Sequence, residues 1–160
     1  MSLIPPLPAA SDLEGMLAHR PQLLHKYRAF YLGLWEQEWV PRRVLELCRR
    51  RIAAIHDCSA ELALHDPAVE LSAPEQAALV RGDFSRFSPA EQVALALSER
   101  IPHNVHGIAD EQVRHAARLW GNPGCVTLLA ALAFMDVNCR FKQVLGVSVA
   151  LGPLDKEHIR

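Results

Sequence analysis

Glu46-Leu-Cys-Arg-Arg-Arg-Ile-Ala-Ala-Ile-His56-Asp57-Cys58-Ser-Ala-Glu61-Leu-Ala-Leu-His65 decides how this 160-residue chain is read. Val44, Leu45, Cys48, Ile52 and Ile55 keep helical spacing, so they form one buried stripe on a helix for which Pro41 supplies a first-turn proline. His56-Asp57 breaks that helix. Asp57 is the expected N-cap of a second helix, which starts at Cys58 and ends near Asp66, before Pro67. On such a helix Cys58, Glu61 at i+3 and His65 at i+7 share a face, and a short turn returns Glu46 to the same pocket. Thiol, imidazole and carboxylate together suit proton-coupled thiol chemistry. A cysteine in the first helical turn gains thiolate character from the backbone N–H groups there. Glu61 acts in two directions: its charge disfavours the thiolate, while its oxygens can orient His65 or take a proton. Cys58 as a small buried hydrophobe and Glu61–His65 as helix decoration is the competing reading of the same spacing.

Outward from this stretch the punctuation is helical throughout. Residues 1–20 read as a proline-rich arm (Pro5, Pro6, Pro8) and a short helix over Asp12–His19. The main domain spans residues 21–148, beginning with a helix from Pro21 to about Glu38. Ser72-Ala-Pro-Glu75 and Ser88-Pro-Ala-Glu91 are capping-box signatures opening helices to about Arg81 and Ile101. Residues 103–109 read as a loop and Asp110–Trp120 as a helix ended by Gly121. Asn122-Pro123 opens the last long helix, which runs to about Leu145. Residues 149–160 form a tail. Ala and Leu are abundant and alternating β-branched runs are missing, so the fold class is all-α, with seven or eight helices.

The formal net charge of −1 gives no basic excess, so neither a nucleic-acid nor an anionic-membrane partner is expected. The apolar run from Cys125 to Met135 is shorter than the roughly 20 residues a membrane span needs. No cationic segment followed by an apolar core stands at the start. None of Cys48, Cys58, Cys125 and Cys139 forms a C-x-x-C pair, so reduced thiols and a cytoplasmic location are expected. Cys125 and Cys139 are read as packing residues, and Arg49–Arg51 as a solvated or subunit-contact face. Arg140, within an apolar helix, should find a carboxylate partner. The spacing of Cys58, Glu61, His65 and Glu46 matches no recognised metal motif, so no metal is assigned to them.

Glu46, Cys58 and His65 also stand in the register E-x11-C-x-x-C-x-x-x-H, which resembles the carboxymuconolactone decarboxylase and alkylhydroperoxidase D (AhpD-like) superfamily. Phe87-Ser-Pro-Ala-Glu-Gln-Val, His106-Gly-Ile-Ala-Asp-Glu-Gln-Val and Ala133-Phe-Met-Asp-Val-Asn-Cys-Arg-Phe141 are similar to later segments of those domains. The likeness covers roughly residues 20–148. It implies an AhpD-like helical domain that assembles as a homo-oligomer and uses no cofactor. The departure is at the second motif cysteine, which is Glu61, and at the second relay histidine, which is Ala60. Cys48 is the substitute thiol that the preceding helix offers. The resemblance implies a thiol-dependent peroxidase-like oxidoreductase: Cys58 reduces a hydroperoxide, Glu46 and His65 relay protons, Glu61 modulates them, and an external thiol is the reductant. It leaves open a cofactor-free decarboxylase-like lyase using Glu46, Glu61 and His65, or a non-catalytic homologue.

Overall fold

The computed structural model describes residues 4–7 and 12–147. The expected tail, 149–160, and arm residues 1–3 and 8–10 lie outside the described residues. Among the described residues there are seven α-helices and one 3-10 turn, and no strand. The helices are α1 (Asp12–Leu17), α2 (Pro21–Glu36), α3 (Arg42–Ile55), α4 (Ser59–Leu62), α5 (Ala73–Arg81), α6 (Pro89–Arg100) and α7 (Asp110–Val144), with the 3-10 turn at Val105–Gly107. The all-α reading therefore holds.

Helix α3 is the hub. It packs against α4, α5, α6 and α7. Its stripe of Val44, Leu45, Cys48 and Ile52 joins Leu97 of α6 and Leu128, Leu132 and Met135 of α7 in the main core. A second cluster, Leu47, Ala78, Leu79, Phe87 and Leu95, seals α5 and α6 onto the opposite side of α3. Burying such side chains is the dominant favourable term, at about 1.5–3 kcal/mol each.

Local chemistry sets the element ends. Both capping boxes form. Ser72 and Ser88 accept from the backbone N–H groups of Glu75 and Glu91, whose carboxylates accept from the serine N–H groups. Gly82 ends α5 in the left-handed region at φ 71°, and a Cβ there would lie 3.0 Å from the Arg51 guanidinium. Gly121 (φ 69°) breaks α7 into two arms, as its sequence position predicts, and Pro123 falls in the first turn of the second arm. Arm residue Leu7 donates its N–H to the Gly15 carbonyl at 3.0 Å, docking the arm on α1.

Several boundaries differ from the expectation. Helix α1 ends at Leu17. Helix α2 ends at Glu36, because Gln37 Oε1 accepts from the N–H groups of Trp39 and Val40 and turns the chain. Pro41 is the N-cap of α3 rather than a first-turn residue. Asp57 adopts φ 49° in the turn, so Cys58 is itself the N-cap of α4. Helix α4 is a single turn and stops at Leu62, short of Asp66. In a continued helix the Glu61 carbonyl would accept from the His65 N–H. Here Arg49 Nη1 donates to it at 2.6 Å, and Arg49 Nη2 donates to the Leu64 carbonyl at 2.8 Å. The guanidinium takes up the backbone acceptors that would have propagated the helix. As a whole, α7 is long and apolar enough to cross a membrane by length and composition, although its longest apolar run is not. In this fold it is the core helix lying against α3 and α6.

Candidate active site at the junction of α3, α4 and α7

Arg49 organises the site. Its side chain is only 3% exposed, and it grips Glu46 with two parallel bonds: Nε to Oε2 and Nη2 to Oε1, each 2.8 Å. Nη1 reaches Glu61 Oε2 at 3.0 Å. This forked geometry is what a guanidinium offers and an ammonium does not. Arg50 adds a third bond to Glu46, 2.8 Å from Oε1, at the rim of the cluster. From α7, Lys142 Nζ donates to Glu61 Oε1 at 2.6 Å. Every fully buried polar side-chain atom among the described residues has a partner.

Cys58 and Glu61, a first-turn i, i+3 pair on α4, face Cys139 and Lys142, an i, i+3 pair on α7. Cys139 shares a buried cluster with Cys58, and its influence on the thiol is the main reason the Cys58 thiol drops to about 7. Burial opposes the drop and the Glu61 carboxylate resists it, while the Glu61 backbone N–H and the Lys142 charge reinforce it. Cys139 is driven far the other way by the same neighbour and by burial, so Cys58 is the member of the pair that ionises more readily. Burial pushes the Glu61 carboxyl up, but Lys142 and Arg49 outweigh it and hold the group below the usual carboxylate range. Glu46, Glu61, Arg49, Arg50 and Lys142 set three cations against two carboxylates, leaving one positive charge in surplus. Solvent shares that surplus at Arg50, and the remainder favours an anion at Cys58.

Helix α2 closes the other side with an aromatic face. Tyr27 donates its hydroxyl to Asn138 Oδ1 at 3.2 Å, and Tyr27 and Tyr31 stack with ring centroids 6.2 Å apart. Burial, reinforced by the Glu61 charge, pushes both phenols up, so they stay protonated. Cys58 is 3% exposed and Cys139 1% exposed. Grooves of about 490 Å³ along α2 and about 440 Å³ beside His103 are lined by neither thiol.

The structure brings together three of the four residues singled out in the sequence. Glu46 and Glu61 meet on Arg49, and Cys58 adjoins Glu61. It does not bring in His65, which lies exposed beyond the end of α4. The imidazole beside this junction is instead His56, in the α3–α4 turn, with Nε2 2.5 Å from Asp136 Oδ1. Arg49 and Arg50 are not a solvated face but the buried and rim cations of the site. Arg51 is also drawn in, pairing with Glu99 and donating to the Leu79 and Val80 carbonyls. Cys48, the sequence's substitute thiol, is fully buried, and burial drives its pKa far upward. The thiol at Cys58 is Cys139, which its spacing had marked only as a packing residue. Lys142 was missed outright, although a lysine on the apolar final helix is the same signal that marked Arg140. Arg140 pairs with Asp136 at 3.0 Å and with the Pro102 carbonyl at 2.9 Å. His103 and His106 are exposed. Among the described residues no group of three His, Cys, Asp or Glu side chains is gathered as a metal would require.

No protein-family model matches the chain, and no curated protein matches it in sequence. The fold does have a solved relative in shape. An uncharacterized peroxidase-related protein from Silicibacter sp. TM1040 superimposes with a TM-score of 0.70 at 13% identity, covering 94% of this chain and 81% of that one. At that identity the likeness establishes a shared helical fold.

Proposed function

We propose that the protein is a thiol-dependent peroxidase-like oxidoreductase of the AhpD-like type, with Cys58 as the residue that attacks a hydroperoxide. One arrangement carries the reading: Cys58 adjoins a buried cluster of three cations and two carboxylates, with a positive charge to spare, and its thiol is lowered to about 7 there. In the reaction the thiolate attacks the distal peroxide oxygen and the O–O bond breaks. The alkoxide leaves and takes up a proton, and Cys58 becomes a sulfenic acid. Lys142, hydrogen bonded to Glu61 and acting by its charge on Cys58, is the buried donor assigned to that oxygen. Glu46 acts as a positioning residue through Arg49. An external thiol returns the enzyme to its reduced form. The peroxidase-related description of the structural relative agrees with this reading. The lyase alternative is disfavoured because Glu46 and Glu61 are both committed to ion pairs and neither is a free base. Exposed Val126, Val137 and Val144 fall on one stripe of α7 and suit a contact between subunits.

The test is hydroperoxide consumption by the full chain with a small thiol as reductant. Wild type should turn over and Cys58→Ser should not, and a stoichiometric dose should oxidise Cys58 in wild type. Equal turnover by Cys58→Ser would end the proposal.

A further inference from the structure

The geometry points to a Cys58–Cys139 disulfide as the intermediate that completes the cycle, with Cys139 of α7 serving as the resolving thiol. This rests on the peroxidase reading above and adds to it a residue and a covalent step. Three contacts pin the segment carrying Cys58 onto the stripe of α7 that carries Cys139. His56 binds Asp136 at 2.5 Å, Gln143 Nε2 donates to the His56 carbonyl at 2.5 Å, and Lys142 Nζ binds Glu61 at 2.6 Å. Asp136, Cys139, Lys142 and Gln143 stand at i, i+3, i+6 and i+7, so they present a single helical face. Cys139 sits in the middle of it. Cys58 and Cys139 lie in the same buried core cluster at this junction, and all four cysteines are free.

Position 61, three residues past Cys58, holds a carboxylate that cannot form a disulfide. Its ion pair with Lys142 instead clamps the neighbouring helix, and that clamp brings a sulfur from residue 139 within reach. The step balances simply. The Cys139 sulfur attacks the sulfenic sulfur of Cys58, the S–O bond breaks, and the leaving hydroxide takes the Cys139 proton to form water. One S–S bond forms. Two electrons from external thiols later restore both cysteines. Burial of both sulfurs favours this partner, since Cys139 is already inside the site when the sulfenic acid forms.

The experiment is peptide mapping by mass spectrometry of the reduced full chain after one equivalent of hydroperoxide. A second aliquot is oxidised with diamide, which couples neighbouring thiols without peroxide chemistry. Wild type should give a Cys58–Cys139 cross-linked peptide with both oxidants, and Cys48→Ser and Cys125→Ser should give it too. Cys139→Ser, which keeps a hydrogen-bond donor at that position, should retain helicity and instead accumulate trappable sulfenic acid on Cys58. Sulfenic acid on wild-type Cys58 with no cross-link would overturn the inference and leave the peroxidase reading standing. A cross-link with diamide and no reaction with hydroperoxide would remove the peroxidase reading and, with it, the resolving role. No cross-link under either oxidant and no sulfenic acid would end both.

Discussion

Helix α3 presents arginines to two sides of the molecule, and the two sides use them differently. Toward the α5–α6 hairpin, Arg43 spans the capping-box carboxylates, at 2.5 Å from Glu75 and 2.7 Å from Glu91, while Arg51 ties the far ends of the same helices. Arg43 is 37% exposed, so water screens its pairs. Toward α4 and α7, Arg49 makes similar bonds almost entirely out of water. Apolar residues of the same volume would serve a purely structural interface at least as well. The proposed thiol chemistry would account for keeping four charged side chains and two thiols inside, whereas the hairpin side needs only a clamp.

The sharpest way to break this comparison is to remove one arginine from each side. Arg49→Ala strips Glu46 of its forked partner and leaves Glu61 with Lys142 alone, so a loss of about 3–5 kcal/mol is expected. Arg43→Ala, at a screened site, should lose at most about 1 kcal/mol. Urea unfolding midpoints measure both. Equal losses would show that the two sides are energetically alike.

Lys142→Met sharpens the electrostatic half. The folded Cys58 thiol sits near 7, below an ordinary thiol. Its ionisation therefore adds stability that is fully present above the unfolded value and fades as pH falls through about 7. Without the lysine charge, the midpoint of Cys58 alkylation against pH should rise toward the free-thiol value of about 8.5. Burial slows alkylation at every pH without moving that midpoint. An unmoved midpoint would mean that Cys139 and the Glu61 N–H hold the thiolate without help from the lysine. A smaller effect belongs to the hairpin side: Ser88→Ala removes a cap and should cost about 1 kcal/mol, read from thermal unfolding, with Cys58 titration unchanged.

These contrasts also mark what the sequence shows and hides. Both capping boxes, the Gly121 break and the α3 stripe are local signals, each set by a residue and its neighbours within one turn. The pairing of residues 58 and 139 is not local. It depends on how α7 packs after the Gly121 kink, and a single chain carries no record of that distance. The length of α4 failed for a related reason. Helical spacing carried the reading through to residue 65, whereas Arg49, twelve residues before Glu61, competes for the acceptors that would have continued the helix. A buried arginine and a solvated one look the same in sequence; only the carboxylates that fold around Arg49 distinguish them.

His65 is where that difference can be measured with the smallest expected effect. A residue serving as general acid or base contributes about 10²–10⁴-fold to rate. If the spacing-derived relay operates, His65→Ala should lower hydroperoxide turnover by at least the lower figure. The structure leaves this side chain exposed beyond the helix end, with Arg49 holding the carbonyls that separate it from Cys58. Turnover should therefore stay within roughly twofold of wild type, since nothing in the relay range is lost. His56→Ala, which releases the Asp136 contact and loosens the α3–α4 turn against α7, should slow the step that joins the two sulfurs more than the attack on peroxide. A hundredfold loss at His65 and none at His56 would mean that α4 extends during turnover and that the imidazole, not the lysine, manages the proton at Cys58.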